Sequence, residues 1–84
     1  MTIFVISDVS YVYQRPRYQK NWYFKSYFDA VEYAKDLVSE EYGTDFDNKR
    51  LITKTVGDTT YIQYKGYEPG KVITYFAVEA IKVR

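Results

Sequence analysis

Four carboxylates, Asp29, Glu32, Asp36 and Glu40, recur every three or four residues between Ser26 and Gly43. At 100° per residue they share one side of a helix, while Tyr27, Ala30, Val31, Ala34, Leu37, Val38 and Tyr42 share the other. The chemistry open to such a row is electrostatic recognition. It presents a line of anions at steps of about 4.5–6 Å along the helix axis, and a protein that binds the charged backbone of nucleic acid could accept it in place of that ligand. The row works against its own helix. Glu32–Asp36 and Asp36–Glu40 are like-charge pairs four residues apart, each costing roughly 0.2–0.5 kcal/mol. Glu40 and Glu41 stand at the C-terminus, where the helix dipole prefers cations. A local rule broken without visible compensation is a place to look for function. The expectation is a surface that docks on a basic patch of a partner protein. Its charges would steer association and set specificity, with Glu41 and Asp45 adding to the field. Tyr33 and Tyr42, at the edges of the row, would supply anchoring area. The plainer alternative is a solvated helix face neutralised by Lys35 and neighbouring loops.

A second constellation runs through Tyr13-Gln14-Arg15-Pro16-Arg17-Tyr18-Gln19-Lys20-Asn21-Trp22-Tyr23. Bases interleaved with rings suit a single-stranded nucleic acid, whose bases stack on aromatics while its phosphates meet cations. Arg15, Arg17, Tyr18, Lys20 and Trp22 would carry that alternative function. The same residues also suit a surface loop held by cation–π contacts, and no motif of a known nucleic-acid-reading module accompanies them.

Other chemistries are largely excluded by composition. The 84 residues contain no Cys and no His. That removes disulfides, thiol nucleophiles and zinc–thiolate sites, together with the commonest general base and transition-metal ligand. Ser7, Ser10, Ser26 and Ser39 therefore have no imidazole to activate them, and Gly57 and Gly66 form no phosphate loop. Asp45-Phe46-Asp47-Asn48 hints at cation ligation by oxygen, but Lys49, Arg50 and Leu51 break the calcium-loop pattern. Asp45 and Asp47 have no evident cleft in which to act as acid and base. No enzymatic activity, cofactor or metal is expected.

The elements that position these residues can be read from periodicity and turn chemistry. The length gives a single domain, residues 1–84, with a modest core. No apolar run is long enough to span a membrane, and residues 1–8 lack the basic start of a signal peptide. With no Cys, a reducing cytoplasmic setting fits. Residues 2–13 alternate as one long strand, broken or bulged near Asp8. Trp22-Tyr23-Phe24 is a short strand or packed loop. Ser26 caps the helix, with Asp29 completing a Ser-x-x-Asp variant of the capping box, and Gly43 ends it in a left-handed conformation. Thr44–Lys49 reads as a polar loop.

Leu51–Val56 and Thr59–Lys65 flank Gly57-Asp58, which suits a type II′ hairpin. That register puts Leu51, Ile62 and Tyr64 on one face and Ile52, Lys54, Val56, Tyr61 and Gln63 on the other. Gly66–Gly70 is a further turn. Val72–Val83 is a final strand, with Val72, Phe76, Val78 and Ala80 on one face and Ile73, Tyr75, Ala77 and Ile81 on the other. The expected fold class is α+β: an antiparallel sheet of three to five strands with a single amphipathic helix packed on one face, in the order β-(β)-α-β-β-β. One helix covers one face, so a homodimer or a partner is expected on the second.

Charge is segregated along the chain. Residues 14–25 carry four bases and no acid, residues 29–47 seven acids and one lysine, and residues 48–84 seven bases and three acids. Eleven tyrosines are more phenols than a small core can satisfy, so several must reach the surface. In this overall character (short, aromatic-rich, Cys-free, charge-segregated) the chain is similar to small proteins of phages and mobile elements, some of which inhibit host nucleases or defence complexes such as CRISPR systems. The resemblance implies an anti-defence inhibitor. The remaining expectations are a small ligand-binding domain, which needs a concave pocket, and a self-associating structural protein.

Overall fold

The computed structural model describes residues 1–9, 22–66 and 68–83. Five strands form one fully antiparallel sheet, β1 (Thr2–Asp8), β2 (Trp22–Phe24), β3 (Leu51–Val56), β4 (Thr59–Lys65) and β5 (Val72–Lys82), in the spatial order β2-β1-β5-β4-β3. One helix, α1 (Tyr27–Tyr42), lies on one face and packs on β1, β2, β4 and β5. The expected α+β architecture is therefore present at the upper end of the strand range.

Local chemistry sets the helix limits. Ser26 adopts an extended conformation and its hydroxyl accepts the Asp29 N–H at 3.4 Å, while its carbonyl accepts the Ala30 N–H at 3.1 Å. At the other end Gly43 takes φ +58°, ψ −126°, and its N–H returns to the Ser39 carbonyl. The positive φ needs glycine, but the ψ is that of mirror-image extended chain instead of the left-handed helical turn expected. Beyond it, the expected polar loop is two short 3₁₀ turns, Gly43–Asp45 and Asn48–Arg50, on either side of Phe46. Phe46 turns inward to pack on Tyr64, with ring centroids 5.8 Å apart.

The Gly57-Asp58 hairpin forms as its turn chemistry dictates. Val56 pairs with Thr59, Gly57 has φ +59°, and no non-glycine residue has positive φ among the described residues, which is the type II′ pattern. Leu51, Ile62 and Tyr64 face the helix; Ile52, Lys54, Val56, Tyr61 and Gln63 face away.

The final strand departs from simple alternation. Ile62 pairs with Phe76 but Gln63 pairs with Thr74, so Tyr75 is an extra residue in a β-bulge. The bulge moves Ile73 and Tyr75 to the helix side, alongside Phe76, Val78 and Ala80, and leaves Val72 with Ala77 and Ile81 on the opposite side. β1 is also shorter than the strand expected over residues 2–13. It ends at Asp8, with Val9 N–H still donating to the Tyr75 carbonyl, and residues 10–13 lie outside the described residues.

The core fills the space between α1 and the sheet. Ile6, Ala30, Ala34, Val38, Ile62 and Tyr64 are fully buried. Each large aliphatic among them contributes about 1.5–3 kcal/mol relative to exposure, and the two alanines let the helix approach closely. Under the C-terminal end of α1 lies an aromatic cluster. Tyr42 stacks on Tyr64 at 4.1 Å and shares a hydroxyl–hydroxyl hydrogen bond with Tyr75, and the Tyr64 hydroxyl accepts the Asp47 N–H at 2.9 Å. Buried phenols thus have partners, and among the described residues no buried side-chain polar atom lacks one. The opposite face of the sheet buries Val5 and Ala77 at its centre and exposes Tyr23, Val56, Val72 and Ile81.

Candidate docking surface

The acidic row is positioned by the burial of its own helix. Ala30, Val31, Ala34 and Val38 are pinned to the sheet, so Asp29, Glu32, Asp36 and Glu40 must point outward, and all four are exposed. Lys35 approaches Glu32 at 3.5 Å from one flank, an exposed pair of the kind worth well under about 1 kcal/mol. Asp29, Asp36 and Glu40 form no ion pair among the described residues. No basic residue stands in the last turn of α1 to offset the acids there. Among the described residues the row is thus a largely uncompensated line of negative charge.

The aromatic margins of the row differ from expectation. Tyr42 is half-buried in the aromatic cluster described above, so its ring and hydroxyl are engaged in the core and it is not an exposed anchor. Its place on the inner side of the helical wheel already pointed there. Tyr33 stays at the edge of the row, 37% exposed, with its ring tilted against Phe24 at 5.2 Å. Phe28, which belongs neither to the apolar stripe nor to the acidic row, is 69% exposed in the first turn, four residues before Glu32. The signal was available: a phenylalanine outside the apolar stripe of an otherwise well-patterned helix. Tyr27, on the inner stripe, is partly exposed, with its ring edge-on to Phe4 and its hydroxyl bonded to Thr60 at 2.9 Å.

A groove of about 340 Å³ runs beside the row, between α1 and the 3₁₀ segment. Glu32, Lys35, Asp36 and Ser39 line it from α1, and Phe46, Asn48 and Leu51 line it from the segment that follows. A second groove, of about 410 Å³, is lined by Asp47, Lys49 and Arg50 on one side and by Lys65, Gly66, Glu68, Pro69 and Gly70 on the other, and there the Arg50 guanidinium donates to the Gly66 carbonyl at 3.2 Å and approaches Asp47 at 3.8 Å. In Asp45-Phe46-Asp47-Asn48 the Asp47 carboxylate accepts the Lys49 N–H at 3.0 Å, capping the second 3₁₀ turn. It is a local capping group. Of the basic-aromatic constellation, Arg15, Arg17, Tyr18 and Lys20 lie outside the described residues. Trp22 is placed only through its backbone, paired with Ile6.

No helix among the described residues is long and apolar enough to cross a membrane. No family model, curated protein or solved structure matches this chain.

Proposed function

We propose that this protein is a non-enzymatic binding protein that docks the acidic face of α1 on a basic surface of a partner protein, in competition with that partner's nucleic acid. The observation that carries the reading is the row itself. Asp29, Asp36 and Glu40 are exposed, without an ion pair among the described residues, on a helix whose other side is locked into the core. Uncompensated charge of one sign speeds and directs encounter, and the exposed rings of Phe28 and Tyr33 at its margins supply the apolar area that charge alone lacks. An inhibitor of a nuclease or defence complex, encoded by a phage or mobile element and acting in the cytoplasm, is the setting this mode of action fits.

The test is capture from an extract of the source organism with the wild-type protein and with the double variant Glu32→Lys/Asp36→Lys, followed by mass spectrometry. The reading expects a nucleic-acid-binding protein that is held by the wild type, released by added oligonucleotide or by salt, and not retained by the variant. Equal retention of the same partner by the folded variant refutes it. Retention of nucleic acid itself by the wild-type protein would instead favour the basic-aromatic segment as the binding surface.

A further inference from the structure

We propose that this chain forms a two-fold dimer by pairing the outer edge of β3 with the same edge of a second copy. Among the described residues, in the sheet order β2-β1-β5-β4-β3, both β2 and β3 are edges, but they are unequal. β2 has three residues, whereas β3 has six, without proline, glycine or bulge and with Lys54 as its only charge. An edge strand that long and regular is a template for another strand unless it is blunted by charge, proline or a covering element. Residues Thr53–Val56 are exposed, and the principal contacts of α1 are with the other four strands.

The hairpin fixes which backbone groups point outward. Across a two-residue turn, the closing pair Val56–Thr59 exchanges its backbone hydrogen bonds, so Val56, Lys54 and Ile52 direct theirs into β4. Leu51, Thr53 and Thr55 therefore direct theirs away from the sheet. The Leu51 N–H is taken by the Asn48 carbonyl, while Thr53 and Thr55 meet no further strand among the described residues.

Side-chain chemistry then selects one register for a second copy. Antiparallel pairing about a two-fold axis must match outward-directed residues with each other. Centring it on Lys54 sets two ammonium groups face to face, which is unfavourable, and centring it on Thr55 runs Thr53 into the Gly57 turn. Centring it on Thr53 sets Thr53 against Thr53, Leu51 against Thr55 and Ile52 against Lys54, with every pair inside both strands. The same alignment carries Asp58 at the hairpin tip of one copy toward the Asn48–Lys49 turn of the other, an acid beside a base at each end of the interface. Asp58 and Lys49 are both exposed. This charge match is what singles out a second copy as the occupant of the edge. Directly opposed residues in antiparallel strands share a face, so the helix sides of the two sheets coincide and both acidic rows point the same way.

Sedimentation velocity over a concentration series tests the proposal on the full chain. The wild type is expected to pass from monomer to dimer. Thr53→Pro removes an outward N–H at an edge position that tolerates proline, and is expected to remain monomeric with an unchanged circular dichroism spectrum. Should that variant fail to fold, the pair Ile52→Glu and Ile52→Lys decides, since both alter the same half-buried site. The glutamate gains Lys54 of the second copy and tightens the dimer, while the lysine meets a like charge and loosens it, the two differing by roughly tenfold or more in dissociation constant. A wild type that stays monomeric to its solubility limit overturns the proposal. So does a dimer indifferent both to Thr53→Pro and to the sign of residue 52. Neither result bears on the acidic face, which is tested by partner capture alone.

Discussion

Replacing Asp36 by lysine should make the folded protein more stable while removing its docking function. Asp36 sits at the middle of the row, four residues from Glu32 on one side and from Glu40 on the other. Each of those like-charge pairs costs roughly 0.2–0.5 kcal/mol, and each would become an opposite-charge pair of similar magnitude. The two reversals together amount to about 0.8–2 kcal/mol at low ionic strength, to which the better helix propensity of lysine over aspartate adds a few tenths. Its exposure argues for the lower part of that range. For a domain of this length, 1 kcal/mol moves the melting temperature by about 4–8 °C. The assay is thermal unfolding followed by circular dichroism for wild type and Asp36→Lys, first in dilute buffer and then near 1 M salt, where the Debye length is about 3 Å and most of the gain should vanish. A variant no more stable than the wild type in dilute buffer would refute the reasoning. It would mean that the carboxylates are already compensated within the molecule and that the row is not held at a cost.

Two further outcomes concern the scaffold. Tyr64→Phe removes the acceptor of the Asp47 N–H from beneath the aromatic cluster and should cost about 1–2 kcal/mol in urea denaturation, with no change in the transition slope. Gly57→Ala forces a Cβ into a φ of +59° and should cost about 1–2 kcal/mol although nothing lies within 4 Å of the added atom, so the loss would be one of backbone strain and not of crowding.

Features of the fold governed by short-range chemistry were legible in the sequence. The Gly57-Asp58 turn sets the register of β3 and β4 because the handedness of a two-residue loop is decided within it, and Ser26 and Gly43 bound the helix because they answer groups a few residues away. What escaped was decided by packing between distant segments. Nothing in Ile73-Thr74-Tyr75-Phe76 marks a bulge by glycine or proline. The only trace is that apolar residues occupy both phases of the strand, which simple alternation assigns to two faces and the bulge assigns to one. Phe46 was hidden in a polar run, and its inward turn depends on Tyr64 eighteen residues on. The outward direction of the acidic row followed from periodicity, because the same arithmetic that buries Ala30, Ala34 and Val38 exposes Asp29, Glu32, Asp36 and Glu40. Tyr42 is a core residue and Phe28 an exposed ring, and both follow from the wheel itself, which puts the first on the inner stripe and the second off it.

The supernumerary residue in β5 gives that strand a tolerance found nowhere else along it. Losing Tyr75 would rejoin Thr74 to Phe76 with the paired residues on either side still in register, at the cost of its buried ring, of the phenol that meets Tyr42 and of the carbonyl that accepts the Val9 N–H. Losing Ala77 instead would either draw Phe76 out of the core into the place opposite Tyr61, as the extra residue is used up, or invert the strand beyond the cut and send Val78 outward. Length variation among natural versions of this chain should accordingly be permitted at 75 and forbidden two residues later.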